Sequence, residues 1–208
     1  MPVCGVPFIL QSLVFAVGTW RSLVAHLLWE QRVVEVVTLA DLPGVEQPRE
    51  DGKTFAENAR LKALYYSKAH KILCIADDSG LAVEPLGGLP GVRSARFAGE
   101  GASDAANNAH LLHNLAPFAR PWKAAFVCVA AAALPQRVAA EVTGRVEGEI
   151  LPEGRGRDGF GYDPLFFVPS LGKTMAELST EEKNRISHRG QALRALIAEM
   201  KTAGLLLA

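Results

Sequence analysis

Apolar residues dominate Phe8 to Ala16 without polar alternation, which predicts a buried first strand. Leu23, Leu27 and Leu28 then fall at helical spacing, so Trp20 to Gln31 reads as a helix, and the β-branched run from Val33 to Leu39 reads as a second strand. Asp41 to Asp51 is acidic and broken by Pro43 and Pro48, the composition of a loop. Thr54 and Glu57 have capping-box spacing and start a helix at Thr54 that runs toward Ala69. Ile72, Leu73, Cys74 and Ile75 predict a buried strand that runs into a turn at Ala76-Asp77-Asp78-Ser79-Gly80-Leu81. In that turn Gly80 is free to supply an unusual φ, and Leu81 to Glu84 forms a short strand beyond it.

The second half continues the alternation. Ser103 to Leu115 reads as a helix with Asp104 in its first turn and Leu111, Leu112 and Leu115 on one side. Lys123 to Leu134 and Arg137 to Glu149, separated by Pro135-Gln136, predict an antiparallel hairpin. Glycines interleave with aromatics from Gly154 to Pro164, a loop in which backbone approaches something flat. Ser179 and Glu182 form a second capping box, opening a helical region whose core face is Leu193, Leu196, Ile197 and Met200.

Strands and helices alternating over 208 residues, 49% of them hydrophobic, predict one α/β domain spanning 1–208: a mixed central sheet flanked by helices. The 22 basic and 22 acidic residues balance, so no global field draws the chain to nucleic acid or to an anionic membrane. A polyanionic substrate must therefore be met by a local cluster of cations. Met1 to Trp20 carries no charge, yet Pro2, Pro7, Gln11 and Gly18 interrupt it and no basic stretch precedes it, which argues against a membrane anchor. Three widely spaced cysteines suit a reducing cytoplasm rather than a disulfide framework.

Successive strand side chains point to opposite faces, so Asp77 and Asp78 share a cleft only if the strand has ended. Otherwise one supports and the other does chemistry. Carboxylates are hard oxygen ligands suited to Mg²⁺, which reaches a protein through one or two of them together with substrate phosphates. Lys183 and Arg189 would complement a phosphate or a carbonyl, and Phe160 and Tyr162 would stack on a base. A nucleoside triphosphate satisfies all three pieces.

Their order and wording are specific. Ala76-Asp77-Asp78-Ser79-Gly80-Leu81, Gly88-Leu89-Pro90-Gly91 with Ser94 to Gly99, Gly159-Phe160-Gly161-Tyr162-Asp163-Pro164, and Glu182-Lys183-Asn184 with Ser187-His188-Arg189-Gly190 together resemble the Ham1 family of inosine triphosphate pyrophosphatases. The resemblance runs from Thr54 to the last helix. It implies two lobes around a nucleotide cleft, a homodimer, and Mg²⁺-dependent cleavage of ITP, dITP or XTP to the monophosphate and pyrophosphate. By the same resemblance Asp78 binds metal and accepts a proton, while Ser79, Phe160, Gly161, Tyr162, Asp163, Lys183, His188 and Arg189 line the substrate site. A second acidic metal ligand comes from the loop before the first capping box, where Glu46 is the candidate. Arg189 and a protonated His188 would donate to a 6-keto purine, whereas the 6-amino group of adenine offers them no acceptor.

One stretch departs from the family. The first strand should end in Ser/Thr-x-Asn-x-x-Lys, a loop that holds the triphosphate, but the chain reads Phe15-Ala16-Val17-Gly18-Thr19-Trp20-Arg21-Ser22-Leu23. Two readings stay open: a nucleotide-binding homologue impaired in catalysis, or a shifted reading frame over residues 1–32. Joining the third base of each codon to the first two of the next lets Ala16/Val17 encode Ser, Val17/Gly18 Gly, Gly18/Thr19 Asn and Arg21/Ser22 Lys. Sequencing independent DNA across the codons for Val14 to Val37 is expected to reveal a missing or added base whose correction spells Ser-Gly-Asn-x-x-Lys. A reading that holds as given favours the impaired homologue.

Overall fold

The computed structural model describes residues 12–15, 35–38, 41 and 44–206. Seven strands form one sheet in the order β2-β1-β3-β4-β5-β6-β7. They are β1 (Ser12–Phe15), β2 (Glu35–Thr38), β3 (Leu73–Val83), β4 (Trp122–Leu134), β5 (Arg137–Ile150), β6 (Phe166–Val168) and β7 (Lys173–Thr174). The strand β1 lies parallel to β2 and β3, and every later pairing is antiparallel. Four described helices pack around it: α1 (Phe55–His70), α2 (Asp104–Leu115), α3 (Thr180–Ile186) and α4 (His188–Thr202). None of these is long and apolar enough to cross a membrane. The helix expected over Trp20 to Gln31, and the triphosphate-loop stretch after Phe15, lie outside the described residues.

The alternation of β3 and β4 divides the core. Leu73, Ile75, Cys128, Ala130 and Ala132 face Leu193, Leu196, Ile197 and Met200 of α4, while Cys74, Ala76, Val129, Ala131 and Ala133 face Ala59, Ala63 and Tyr66 of α1. The run Ala130 to Ala133 thus has a packing reason: small side chains on both faces let a helix close on each side of the sheet. Farther along, Leu81, Val83, Trp122, Phe126 and Val146 build a third cluster with Leu111 and Leu115 of α2 and with Tyr162 and Phe166. The β4–β5 hairpin runs through both halves, turning at Pro135-Gln136 as its sequence predicts.

Three local expectations change. First, the acidic pair is no turn, because β3 is one continuous strand of 11 residues in which Asp77 and Asp78 oppose Ala130 and Val129 of β4. Gly80 is needed for close approach instead of φ: a Cβ there would sit 2.7 Å from the Gly91 carbonyl and overlap Ser94 Oγ. That hydroxyl accepts the Leu81 N–H at 2.9 Å and donates to Gly91 O at 2.6 Å, satisfying a strand edge that β1 no longer covers. Second, at α1 the Thr54 hydroxyl caps Glu57 N–H as expected, but the Glu57 carboxylate reaches one residue farther, to Lys53 N–H at 2.6 Å.

Third, the last helical region is two helices. The capping box of Ser179 and Glu182 forms in full and opens α3. At Ser187 the backbone turns extended (ψ 144), ending α3, and the Ser187 hydroxyl accepts Gly190 N–H at 3.0 Å to start α4. His188 and Arg189 consequently occupy the first turn of α4 and bear on the sheet. Gly144 of β5 admits that turn, since a Cβ there would overlap the His188 carbonyl oxygen and lie 2.6 Å from Ala192 N. Gly144→Ala is expected to destabilise the fold by about 1–3 kcal/mol, read as a lowered melting temperature. An unchanged melt would mean that α4 is free to retreat.

Candidate active site

The strand β1 pairs with β3 only through Leu13, Val14 and Phe15, opposite Leu73, Cys74 and Ile75. Beyond Ile75 the same edge of β3 is paired, among the described residues, only at the isolated bridge from Ala82 to Pro90. The notch outside the carboxyl end of a parallel strand is where open α/β sheets meet their ligands. Asp77, Asp78 and Ser79 are the residues of β3 that reach it.

Asp78 points to the α1 face. Its Oδ2 accepts from Asn58 Nδ2 at 3.0 Å, and its Oδ1 lies 3.5 Å from the Lys62 ammonium. Lys62 is only 4% exposed and also binds Glu50 Oε2 at 3.0 Å, so one buried cation holds two carboxylates. Asn58 completes the arrangement by accepting Gly52 N–H at 2.8 Å, which ties the acidic loop to Asp78 through one amide. Burial pushes the Asp78 carboxyl above the usual carboxylate range, outweighing the lowering by Lys62 and by the Asn58 hydrogen bond.

On the opposite face, Arg189 Nε donates to Ser79 Oγ at 3.0 Å and lies 3.5 Å from Asp77 Oδ2. Asp77 is thus the member of the pair that meets the arginine. It also receives the Cys128 thiol at 3.5 Å, and burial raises that thiol well above its ordinary range, which leaves it an inert core group.

The Gly-aromatic loop supplies the third part. Phe160 is 60% exposed, with Lys183 Nζ 5.0 Å and Arg189 Cζ 5.5 Å from its ring centroid. Asp163 is buried, accepts Phe160 N–H at 2.8 Å and pairs with the Lys183 ammonium. The backbone of Gly161 is held on both sides by α2: its N–H donates to Asp104 Oδ2 at 2.6 Å and its carbonyl accepts from Asn108 Nδ2 at 2.9 Å. Tyr162, expected to stack on a base, is instead buried against the α2 cluster with its hydroxyl on Ser94 O at 2.8 Å. Its ring is needed by the core, which leaves Phe160 as the open aromatic surface.

His188 also differs from expectation. Its ring stacks on Phe126 at 4.9 Å between centroids, and its Nδ1 is buried without a partner. Burial, reinforced by the positive charges of Arg189 and Lys183, lowers its pKa to about 3, so the imidazole is neutral at physiological pH and not the expected cation.

With this geometry in place, comparison with known proteins is decisive. A model of the Ham1 family matches residues 20–199. The chain belongs to the Ham1 family. It is 51% identical over 166 residues to the dITP/XTP pyrophosphatase of Desulfotalea psychrophila, covering 80% of this chain and 74% of that protein. It is likewise 51% identical over 167 residues to that of Thermus thermophilus, 80% of each chain. The Ham1 protein of Staphylococcus aureus superposes with a TM-score of 0.84 at 40% identity, covering 92% of this chain and 99% of that one. The nucleoside-triphosphatase / dITP/XTP pyrophosphatase of Mycobacterium abscessus gives a TM-score of 0.75, also at 40% identity, over 90% and 99%.

Of the Ham1 motif residues, the structure brings Ser79, Arg189, Lys183, Asp163 and Phe160 into one contact chain, with Asp78 beside them on the other face of β3. Glu46 is not part of it. It is exposed and makes no ion pair among the described residues, whereas Glu50 reaches Lys62, because Asn58 pins the loop at Gly52 and not farther back. Asn58 and Lys62 were missed in the sequence although a signal was present: two polar residues four apart on the helix face that buries Ala59, Ala63 and Tyr66.

A buried neutral histidine has a measurable consequence. With its folded pKa below the unfolded value, His188 stabilises the fold fully above about pH 6.5, and this stability is lost as pH falls toward 3, at about 1.4 kcal/mol per pH unit. His188→Gln is expected to flatten the fall of melting temperature between pH 6.5 and 4, with the carboxylate contributions cancelling between the two proteins. Parallel curves would show that the ring is protonated in the native state.

Proposed function

We propose that the chain hydrolyses non-standard purine nucleoside triphosphates, dITP and XTP foremost and ITP with them, to the monophosphate and pyrophosphate. The observation that carries this is the juxtaposition, on the two faces of β3, of a half-buried carboxylate pair sharing Lys62 and of a cation-flanked exposed ring reached from Ser79 through Arg189. The names and identity of the relatives support the same reaction.

The donor set fits Mg²⁺. Among the described residues no group of three or more acidic, histidine or cysteine ligands forms, which disfavours an all-protein metal cage. Asp78 and Glu50 instead converge on the charge of Lys62. They are the residues that would hold the ion. When bound, the ion would neutralise charge developing on the phosphate oxygens.

Asp78 would accept the proton of the water that attacks the α-phosphorus as pyrophosphate leaves. Burial makes it a stronger base than an ordinary carboxylate, and Asn58 fixes the direction of its lone pairs. Lys62 keeps that base from binding a proton prematurely. At the other end Phe160 would stack on the purine, with Lys183 and Arg189 beside it. Arg189 would donate to a 6-keto oxygen, and His188, being neutral, would offer a single N–H where a cation would offer two. Adenine at that place would leave these donors unpaired.

Pyrophosphate release from dITP with Mg²⁺ is the direct test. Asp78→Asn is expected to lower the rate at least ~100-fold. Glu50→Gln is expected to raise the Mg²⁺ concentration required about tenfold, while Glu46→Gln leaves it unchanged; the reverse pattern would restore Glu46 as ligand. A wild-type protein that binds IMP yet releases no pyrophosphate would be a binding homologue, not an enzyme.

A further inference from the structure

Two side chains of α2 grip the two successive peptides that meet at Gly161 of the Gly-aromatic loop. Asp104 and Asn108 stand four residues apart, hence on the same face of the helix, and take respectively the N–H and the C=O of Gly161. Gly161 adopts φ +60, a conformation that only glycine holds without strain, and it follows directly on the exposed Phe160. Asn107 extends the grip along the same helix, accepting Ala98 N–H at 2.8 Å and donating to Ala95 O at 3.1 Å.

Stability alone does not account for Asn108. Its Oδ1 is buried without a partner, which costs folding free energy, so the amide is retained for the single bond from Nδ2 to Gly161. Lys183 and Arg189 flank the Phe160 ring, but it is otherwise open to solvent, so the backbone on both sides of its Cα shares in setting its direction. The Asp163 carboxylate fixes the N–H before that Cα, Asp104 and the Asp163 N–H fix the peptide after it, and Asn108 fixes the next peptide, beyond Gly161.

We infer that Asp104 and Asn108 of α2 are positioning residues that act through the two peptides flanking Gly161 to aim Phe160 at the purine ring, and so govern affinity for the base but not for the phosphates. This rests on the pyrophosphatase reading above. Neither residue touches substrate; each acts through Phe160. The half-buried Asn108 bond should matter more than the exposed Asp104 bond, which competes with water.

The test pairs hydrogen exchange of residues 159–162, which needs no ligand, with calorimetric titration by IMP and by Mg²⁺-pyrophosphate. Asn108→Leu is expected to speed exchange and to weaken IMP binding by about tenfold each, with pyrophosphate affinity within about twofold of wild type. Asp104→Ala should give about a threefold loss of IMP affinity, and Asp104→Asn, whose amide oxygen still accepts, should restore it. Unchanged exchange overturns the clamp, and faster exchange with unchanged IMP affinity overturns its role in positioning. Equal losses of IMP and pyrophosphate would reduce both residues to general scaffolding. Should Asn108→Leu fail to fold, the Asp104→Ala and Asp104→Asn pair decides alone. A wild-type protein that binds no IMP refutes the pyrophosphatase reading and the purine assignment together, whereas the other negative outcomes refute only this inference.

Discussion

Everything at the candidate site depends on β3 outlasting its parallel neighbour. The strand β1 stops beside Ile75, but the pairing of β3 with β4 continues to Val83. Over that interval β3 is held along one edge by β4, while its other edge is met, among the described residues, only from Leu81 onward by Ser94 and the Leu89-Pro90 segment, and its side chains keep alternating between faces. Adjacent carboxylates thereby receive opposite surroundings. Asp78 enters a buried network with Asn58, Lys62 and Glu50, and Asp77 pairs with Arg189 beside Ser79. Had the chain turned at this point, the two acids would have shared one environment and repelled each other.

The electrostatics of the two faces then differ in kind. On the α1 side, burial raises the Asp78 pKa against the lowering by Lys62 and the Asn58 hydrogen bond, and the raising influences win. Removing Lys62 would leave two partly buried carboxylates uncompensated, a larger penalty than the pair's own worth. On the α4 side, burial drives His188 neutral, with the charges of Arg189 and Lys183 adding to it. Positive charge there belongs to Arg189 and Lys183, and the imidazole contributes its stack on Phe126.

Much of this was legible in the sequence. The hairpin from Trp122 to Ile150, the caps at Thr54 and Ser179 and the core face of the last helix follow from local pattern, because each is set by neighbours within a few residues. What escaped were properties set across the chain. The continuity of β3 depends on β4, some 50 residues later, overriding the turn signal of Asp-Asp-Ser-Gly. Tyr162 looked like a base platform until Ser94 and the α2 cluster claimed it. Glu50 and Glu46 are equivalent in a loop read as text, and only Asn58, fixed on a helix, distinguishes them. The charge of His188 was misjudged because the stack on Phe126 has no sequence signature.

The two ends of the site are also built with different rigidity, and the fold explains why. The carboxylate end is anchored on α1 and β3, regular elements whose backbone bonds are internally satisfied, so direction is imposed by Asn58 and Lys62 alone. The base end sits on a loop, where no ladder fixes the peptide groups, and side chains from Asp163, Asp104 and Asn108 must do what a strand partner would do. An exposed aromatic on such a loop is useful only if its backbone is held from both directions. The α2 helix, which carries no residue of the recognised motifs, supplies that hold because Leu111 and Leu115 root it in the same cluster as Tyr162. Core packing and ring orientation are therefore one mechanical unit, with the hydrophobic face of α2 seating the helix and its polar face setting the loop.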